Sequence, residues 1–183
     1  MSTLPSLPEF GSCAPDFALP DLDGRIVRLA DIRGEHGTVV MFICNHCPYV
    51  RSVIGRIVED SRALTAEGIG VVAIMSNDYR AYPADAPDRM RAFAAEHGFP
   101  FPYLLDETQM VARAYEAVCT PDFFGYDADL ALRYRGRLDA SKTTPVPNAR
   151  RDLLEAMRQV AATGQGPAEQ IPSMGCSIKW QAA

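Results

Sequence analysis

The chain has 183 residues, a formal net charge of −5, and hydrophobic and charged shares of 48% and 22%. That length suits one domain with a real core, the composition is ordinary for a globular protein, and the acidic balance argues against nucleic acid or an anionic membrane as partner. No stretch of Met1 to Gly11 reads as a signal peptide and no apolar run is long enough to span a bilayer, so a cytoplasmic location is expected.

Residues 1–12 read as a loose arm. Cys13 to Gly34 is an opening hairpin, with Phe17-Ala18-Leu19 and Ile26-Val27-Arg28-Leu29 as strands around the turn Asp21-Leu22-Asp23-Gly24. Thr38 to Ile43 is a short run rich in β-branched residues and reads as a buried strand. Pro48 suits a first helical turn, where its missing N–H is not needed. Val50, Val53, Ile54, Ile57, Val58 and Leu64 then form one apolar stripe on a helix to about Glu67, stopped by Gly68. Gly70 to Met75 is a second buried strand, reached by a right-handed parallel crossover.

Residues 76–87 form a polar loop bearing prolines. Asp88–His97 is a helix stopped by Gly98, Phe101–Leu105 an extended piece, and Glu107–Ala117 a further helix through Met110, Val111, Ala114 and Tyr115. Asp122–Asp127 and Leu130–Arg135 read as a hairpin through Ala128-Asp129, and Ala149–Ala162 as a helix. Gly164–Pro172 is a Gly/Pro-rich linker, and Ser173–Trp180 closes the chain. Residues 13–163 are thus read as one domain, with 164–183 as a tail packed on it.

The chemistry concentrates in Cys44-Asn45-His46-Cys47, where the first core strand feeds the helix. A helix N-terminus carries about half a positive charge and free N–H groups, so it stabilises a thiolate. A cysteine there drops from ~8.5 to ~3.5–7.5, and an imidazolium at His46 would add to the effect. Cys44, taken to cap the helix and to be exposed, is the expected attacking thiolate, and Cys47, turned into the helix, the resolving thiol. Five cysteines with one meaningful spacing fit catalysis better than a disulfide framework in a cytosolic protein.

The order is βαβ followed by ββα, with a hairpin in front and helices inserted. With Ala14-Pro15-Asp16-Phe17-Ala18-Leu19-Pro20-Asp21, the Cys44–Val50 stretch, Phe101-Pro102-Tyr103-Leu104, Asp106-Glu107-Thr108-Gln109 and Gly175-Cys176-Ser177-Ile178-Lys179-Trp180, the chain resembles the thioredoxin-fold, peroxiredoxin-like branch of alkyl hydroperoxide reductases and thiol-specific antioxidants. The resemblance implies an α/β fold with a mixed central sheet, a cis bond at Thr120-Pro121, and a Thr120 backbone placed to pair with an incoming peptide or thiol. It implies a thiol–disulfide oxidoreductase without cofactor or metal, a monomer or homodimer acting on protein or small-molecule disulfides and thiols. Two positions depart from thioredoxin. Thr38 stands where thioredoxin has a buried aspartate, so no buried acid is evident to take the proton from Cys47, and Asn45-His46 replaces the usual Gly-Pro.

A peroxidase is the second reading. Its Pro-x-x-x-Thr/Ser-x-x-Cys motif, aligned on Cys47, needs Pro at Val40 and Thr or Ser at Cys44, and no arginine lies between Glu116 and Tyr126. A thioredoxin-fold binding module with idle thiols is the third. Zinc on Cys44, Cys47, His46 and Cys176 has only one close ligand pair. Cys13 and Cys119 read as small packing residues, although Cys119 lies near Pro121 and could approach the site. Cys176 has either a redox role or a place in a tail packed by Ile178 and Trp180. His36 and His97 read as solvated, Arg133–Arg137 as a solvated basic strand end, and Tyr79 and Tyr82 as neighbours of the site.

Overall fold

The computed structural model describes residues 9–182. The first eight positions of the arm lie outside them. The chain opens with β1 (Ala18–Pro20) and β2 (Ile26–Arg28), an antiparallel pair, then one helical turn, α1 (Leu29–Ile32), where the sequence suggested continued strand at Leu29. There follow β3 (Gly37–Phe42), α2 (Pro48–Ala66), β4 (Ile69–Met75), α3 (Pro87–His97), β5 (Tyr103–Leu105) and α4 (Met110–Ala114). The chain ends through β6 (Cys119–Thr120), β7 (Asp122–Tyr126), β8 (Leu132–Gly136), α5 (Asp152–Thr163) and β9 (Cys176–Ser177).

The central sheet runs β5-β4-β3-β7-β8. β3, β4 and β5 are parallel, whereas β7 is antiparallel to both β3 and β8. β3 is buried on both faces, which is why its sequence is continuously apolar rather than alternating. Val39 and Met41 face a core layer built with α2, α3 and α5, while Val40 and Phe42 face the layer holding α4 and the opening hairpin. The stripe on α2 is buried as the spacing predicts, at roughly 1.5–3 kcal/mol for each large apolar side chain. Gly68 follows the helix at φ +81°, the left-handed conformation glycine adopts without strain.

Four expectations are corrected here. The helix over Glu107–Ala117 shrinks to α4, because Gln109 turns at φ +63° and the Asp106 carboxylate accepts the Ala112 N–H at 2.9 Å. Strand β8 begins at Leu132 rather than Leu130, which itself sits at φ +61° in a turn closed on Asp127. The basic stretch is not a solvated strand end. Arg133 pairs with Asp127, Arg135 is buried with Asp122, and Arg137 pairs with Asp152. His97 is half-buried and meets Phe93 edge-on, whereas His36 is exposed as expected. Among the described residues, no helix is long and apolar enough to cross a membrane.

Candidate active site

Beyond β3 the chain turns through Cys44-Asn45-His46 to Cys47, which is the N-cap of α2, with Pro48 in the first turn. Cys44 and Cys47 are only 1% and 0% exposed. The expectation of a helix-capping, open Cys44 is therefore corrected: the turn carries Cys44 three positions ahead of the cap and folds it under Thr120. The Thr120–Pro121 bond is cis, as the resemblance implied. The Thr120 hydroxyl lies 3.4 Å from Cys44 Sγ, and its carbonyl accepts the Cys47 thiol at 3.1 Å.

The backbone of Thr120 is not left free for an incoming peptide. β9 pairs antiparallel with β6, with Cys176 opposite Thr120 and Ser177 opposite Cys119, and the Ile178 N–H donates to the Val118 carbonyl at 3.1 Å. The tail comes so close that a Cβ on Gly175 would lie 2.0 Å from the Thr120 carbonyl oxygen, so only glycine fits. This register packs the half-buried Cys176 against the cluster that holds Cys47, where its thiol and backbone N–H help hold Cys47 low. Cys119 does not join them. It is fully buried, its thiol donates to the Pro121 carbonyl at 3.6 Å, and burial pushes it far above the usual thiol range.

Cys44 faces a different segment. A single 3-10 turn, Pro83–Asp85, carries Asp85 into the interior, where it is fully buried. Its carboxylate accepts the Asn45 N–H at 2.8 Å and the Asn77 side-chain amide at 2.8 Å, and pairs with His46 Nδ1 at 2.7 Å. Asn77 in turn accepts the Lys179 N–H at 2.9 Å. The Asn45 amide is held by the Ala84 carbonyl and the Tyr103 hydroxyl. Tyr82 stacks on the His46 ring with 6.0 Å between centroids, whereas Tyr79 turns away to Glu107. Asp85 is thus a buried acid at the site that the sequence did not reveal, beside Cys44 rather than Cys47. Position 38, where thioredoxin itself has one, is a fully buried threonine. The signal that could have found it was slight: one acid in a loop pinned by Pro83 and Pro87.

The charges follow from this geometry. Burial works against the Asp85 carboxylate, but His46, Asn77 and the Asn45 N–H outweigh it and hold the group below its ordinary range. The close pairing with the Asp85 carboxylate, opposed by burial, raises His46 above its ordinary value and favours its imidazolium. The two thiols titrate as one unit. While both are protonated, Cys47 donates to the Thr120 carbonyl. After the first proton leaves, the Cys44 thiol becomes the main donor to a Cys47 thiolate, aided by Thr120 and Cys176, and Cys47 is held down to about 5 despite burial. That hydrogen bond to Cys47, then burial and the Asp85 carboxylate, push Cys44 well up.

The four proposed zinc ligands do not come together as a set. Among the described residues, the ligand atoms that cluster within 4.8 Å of one another belong to Cys44, His46 and Asp85. His46 Nδ1 is already committed to the Asp85 carboxylate.

Such a constellation, two thiols at a strand–helix joint opposite a cis-proline, defines a redox thiol protein of thioredoxin fold. The sequence profile of the AhpC/TSA family matches residues 10–135, and the chain belongs to that family. A putative peroxiredoxin of Mycobacterium tuberculosis is 30% identical over 67% of this chain and 73% of its own length. The thiol-disulfide oxidoreductase ResA of Geobacillus thermodenitrificans is 29% identical over 64% of this chain and 63% of its own. An uncharacterized conserved protein from Geobacillus kaustophilus has a crystal structure with TM-score 0.94 and 44% identity, covering 100% of this chain and 98% of that one. The thioredoxin domain of a thiol-disulfide oxidoreductase from Bacteroides vulgatus, at TM-score 0.59 and 20% identity over 71% of this chain and 89% of that one, shares the fold.

Proposed function

We propose that the protein is a thiol–disulfide oxidoreductase that cycles between a Cys44/Cys47 dithiol and a Cys44–Cys47 disulfide. The observation that carries this reading is the placement of both sulfurs on Thr120 beside the cis-proline at the start of α2, in surroundings that push Cys47 down to about 5 and Cys44 up. That is the resting state dithiol exchange needs, with a thiolate ready to attack or leave and a second thiol ready to displace it. His46 and Asp85 supply the proton traffic. When Cys44 leaves as a thiolate, the imidazolium beside it is the donor, and Asp85 holds that imidazolium in place.

The peroxidase reading draws less support from the residues. Peroxide cleavage wants donors at the distal oxygen, and Val40 and Cys44 stand where the peroxidase motif has proline and a hydroxyl residue. Among the described residues, no guanidinium is hydrogen-bonded to either thiol. Substrates on this reading are disulfides and thiols of proteins or small molecules.

The test is equilibration against glutathione redox buffers with acid quenching and mass-spectrometric mapping. A reversible Cys44–Cys47 disulfide, lost in Cys44→Ser and Cys47→Ser, is expected. Peroxide consumption by Cys47 at a rate far above that of disulfide exchange would overturn the reading.

A further inference from the structure

The thiol pair is fully covered, and what covers it on the Cys47 side is the chain's own tail. β9 lies along Thr120 as an added antiparallel strand, with Cys176 opposite the residue that precedes the cis-proline. An extended substrate docking on that edge would present its own sulfur there. The tail therefore occupies the edge a substrate would use and carries a cysteine at the matching position. Unlike Cys44 and Cys47, Cys176 is only half-buried. A cavity of about 220 Å³ is lined by Tyr49, Pro121, Phe123, Ile171 and Met174, which lies two positions ahead of Cys176 in the tail, and both Ile171 and Met174 are exposed.

We infer that Cys176 is a third redox thiol, the one through which external thiols and disulfides exchange with the buried Cys44–Cys47 pair. This rests on the dithiol reading above and adds its point of entry. In the oxidising direction Cys176 attacks Cys47 of the Cys44–Cys47 disulfide. A Cys47–Cys176 bond forms, the Cys44–Cys47 bond breaks, and Cys44 takes a proton equal to the one Cys176 gave up. A substrate thiolate then attacks Cys176 Sγ. A substrate–Cys176 disulfide forms and Cys47 leaves as its thiolate. The substrate's second thiol closes its own disulfide and frees Cys176. Two electrons pass from the substrate dithiol to the protein, and reduction of a disulfide runs the same steps backwards.

The electrostatics agree with the geometry. In the reduced protein, burial and the neighbouring Cys47 anion hold Cys176 up at about 11, so it rests as a thiol. Once Cys47 is in a disulfide that anion is gone, while the charge of Lys179 continues to favour ionised Cys176. In the second step the leaving group is Cys47, held down to about 5, and a lower leaving-group pKa speeds exchange, whereas in the first step Cys44 is expelled beside the His46 imidazole.

The test uses the full chain. In glutathione redox buffer the wild type is expected to form the Cys44–Cys47 disulfide; if it does not, the dithiol reading fails and this inference falls with it. Under the same conditions Cys44→Ser is expected to accumulate a Cys47–Cys176 disulfide. A Cys47–glutathione adduct with Cys176 free would overturn the inference alone. Stopped-flow oxidation of a dithiol peptide by the oxidised protein, compared at equal driving force after the Cys44–Cys47 potential of each variant is measured, should slow about tenfold or more in Cys176→Ser and not in Cys13→Ser. A Cys176→Ser rate within about twofold of wild type would remove Cys176 from the path and leave the dithiol reading standing.

Discussion

Cys44 and Cys47 sit at the same joint and are equally buried, yet their surroundings are opposite. Cys44 looks toward an ion pair between His46 of the motif itself and Asp85, which the loop after β4 delivers. Cys47 looks toward uncharged donors: the Cys44 thiol, the Thr120 hydroxyl and the tail's Cys176. The motif supplies the sulfurs and, through their mutual hydrogen bond, the largest influence on both, and two segments far from it in sequence add to the split. A carboxylate beside one thiol and neutral donors around the other drive the two ionisations apart.

The largest effect should come from emptying the charged side. Asp85→Ala leaves the Asn45 N–H, the Asn77 amide and the His46 imidazolium facing a vacated buried site. A stability loss of about 3–5 kcal/mol is expected in chemical denaturation, since breaking a buried pair strands its partner. A loss under about 1 kcal/mol would show that the acid does not organise the site.

The neutral side breaks next. Gly175→Ala places a methyl group against the Thr120 carbonyl, so β9 must move away from β6. Overpacking of this kind costs about 1–3 kcal/mol. Alkylation of Cys176 should quicken, and the Cys47 thiolate, losing a donor, should titrate at higher pH. Unchanged Cys176 alkylation would mean the strands absorb the methyl group in place.

His46→Ala sharpens the contrast with a smaller effect. It leaves the Asp85 carboxylate uncompensated beside the thiols, so the first thiol ionisation should rise by about one unit, or ~1.4 kcal/mol. A destabilised thiolate destabilises the reduced form, and the potential should become more negative by about 30 mV. An unchanged thiolate absorbance titration would reduce His46 to a structural partner of Asp85.

The pH dependence of stability is the finest probe. His46 is raised in the folded state, so its contribution is complete below its unfolded value of ~6.5 and fades as pH climbs through the raised value. Asp85 is lowered, so its contribution is complete above ~3.9 and fades as pH falls through the lowered value. The stability difference between wild type and His46→Ala should therefore be widest between about pH 4 and 6.5. A difference that keeps growing above pH 8 would contradict a protonated His46.

What was legible in the sequence was whatever short-range pattern encodes. β3, α2 and β4 stand out because a buried strand needs an unbroken apolar run and a half-buried helix a stripe. The redox pair and cis Thr120–Pro121 came with the motif and the family resemblance. The rest depends on contacts far apart in sequence. Asp85 lies 40 positions from the Asn45 N–H it accepts. Nothing local marks it as buried, because its partners come from β4's loop and the motif itself. β9 is only Cys176–Ser177, too short to show alternation, and exists because Gly175 lets the tail approach Thr120. The exposed Cys44 of the sequence reading failed for a related reason: a helix terminus says where a thiolate is stabilised, not what the remainder of the chain lays over it.

Asn77 gives the two sides a common mechanical part. Its amide nitrogen holds Asp85 while its oxygen holds the Lys179 N–H, and Lys179 in turn accepts from the Asp78 N–H and the Gln109 amide. The tail is thereby bolted to the same crossbeam that steadies the acid. Peeling it back past Lys179 frees one end of that beam, and the other end is a donor to Asp85. Any partner that lifts the C-terminus writes its arrival onto the His46 ring, so an imidazole NMR signal some distance from the docking edge becomes a gauge of whether the tail is down or up.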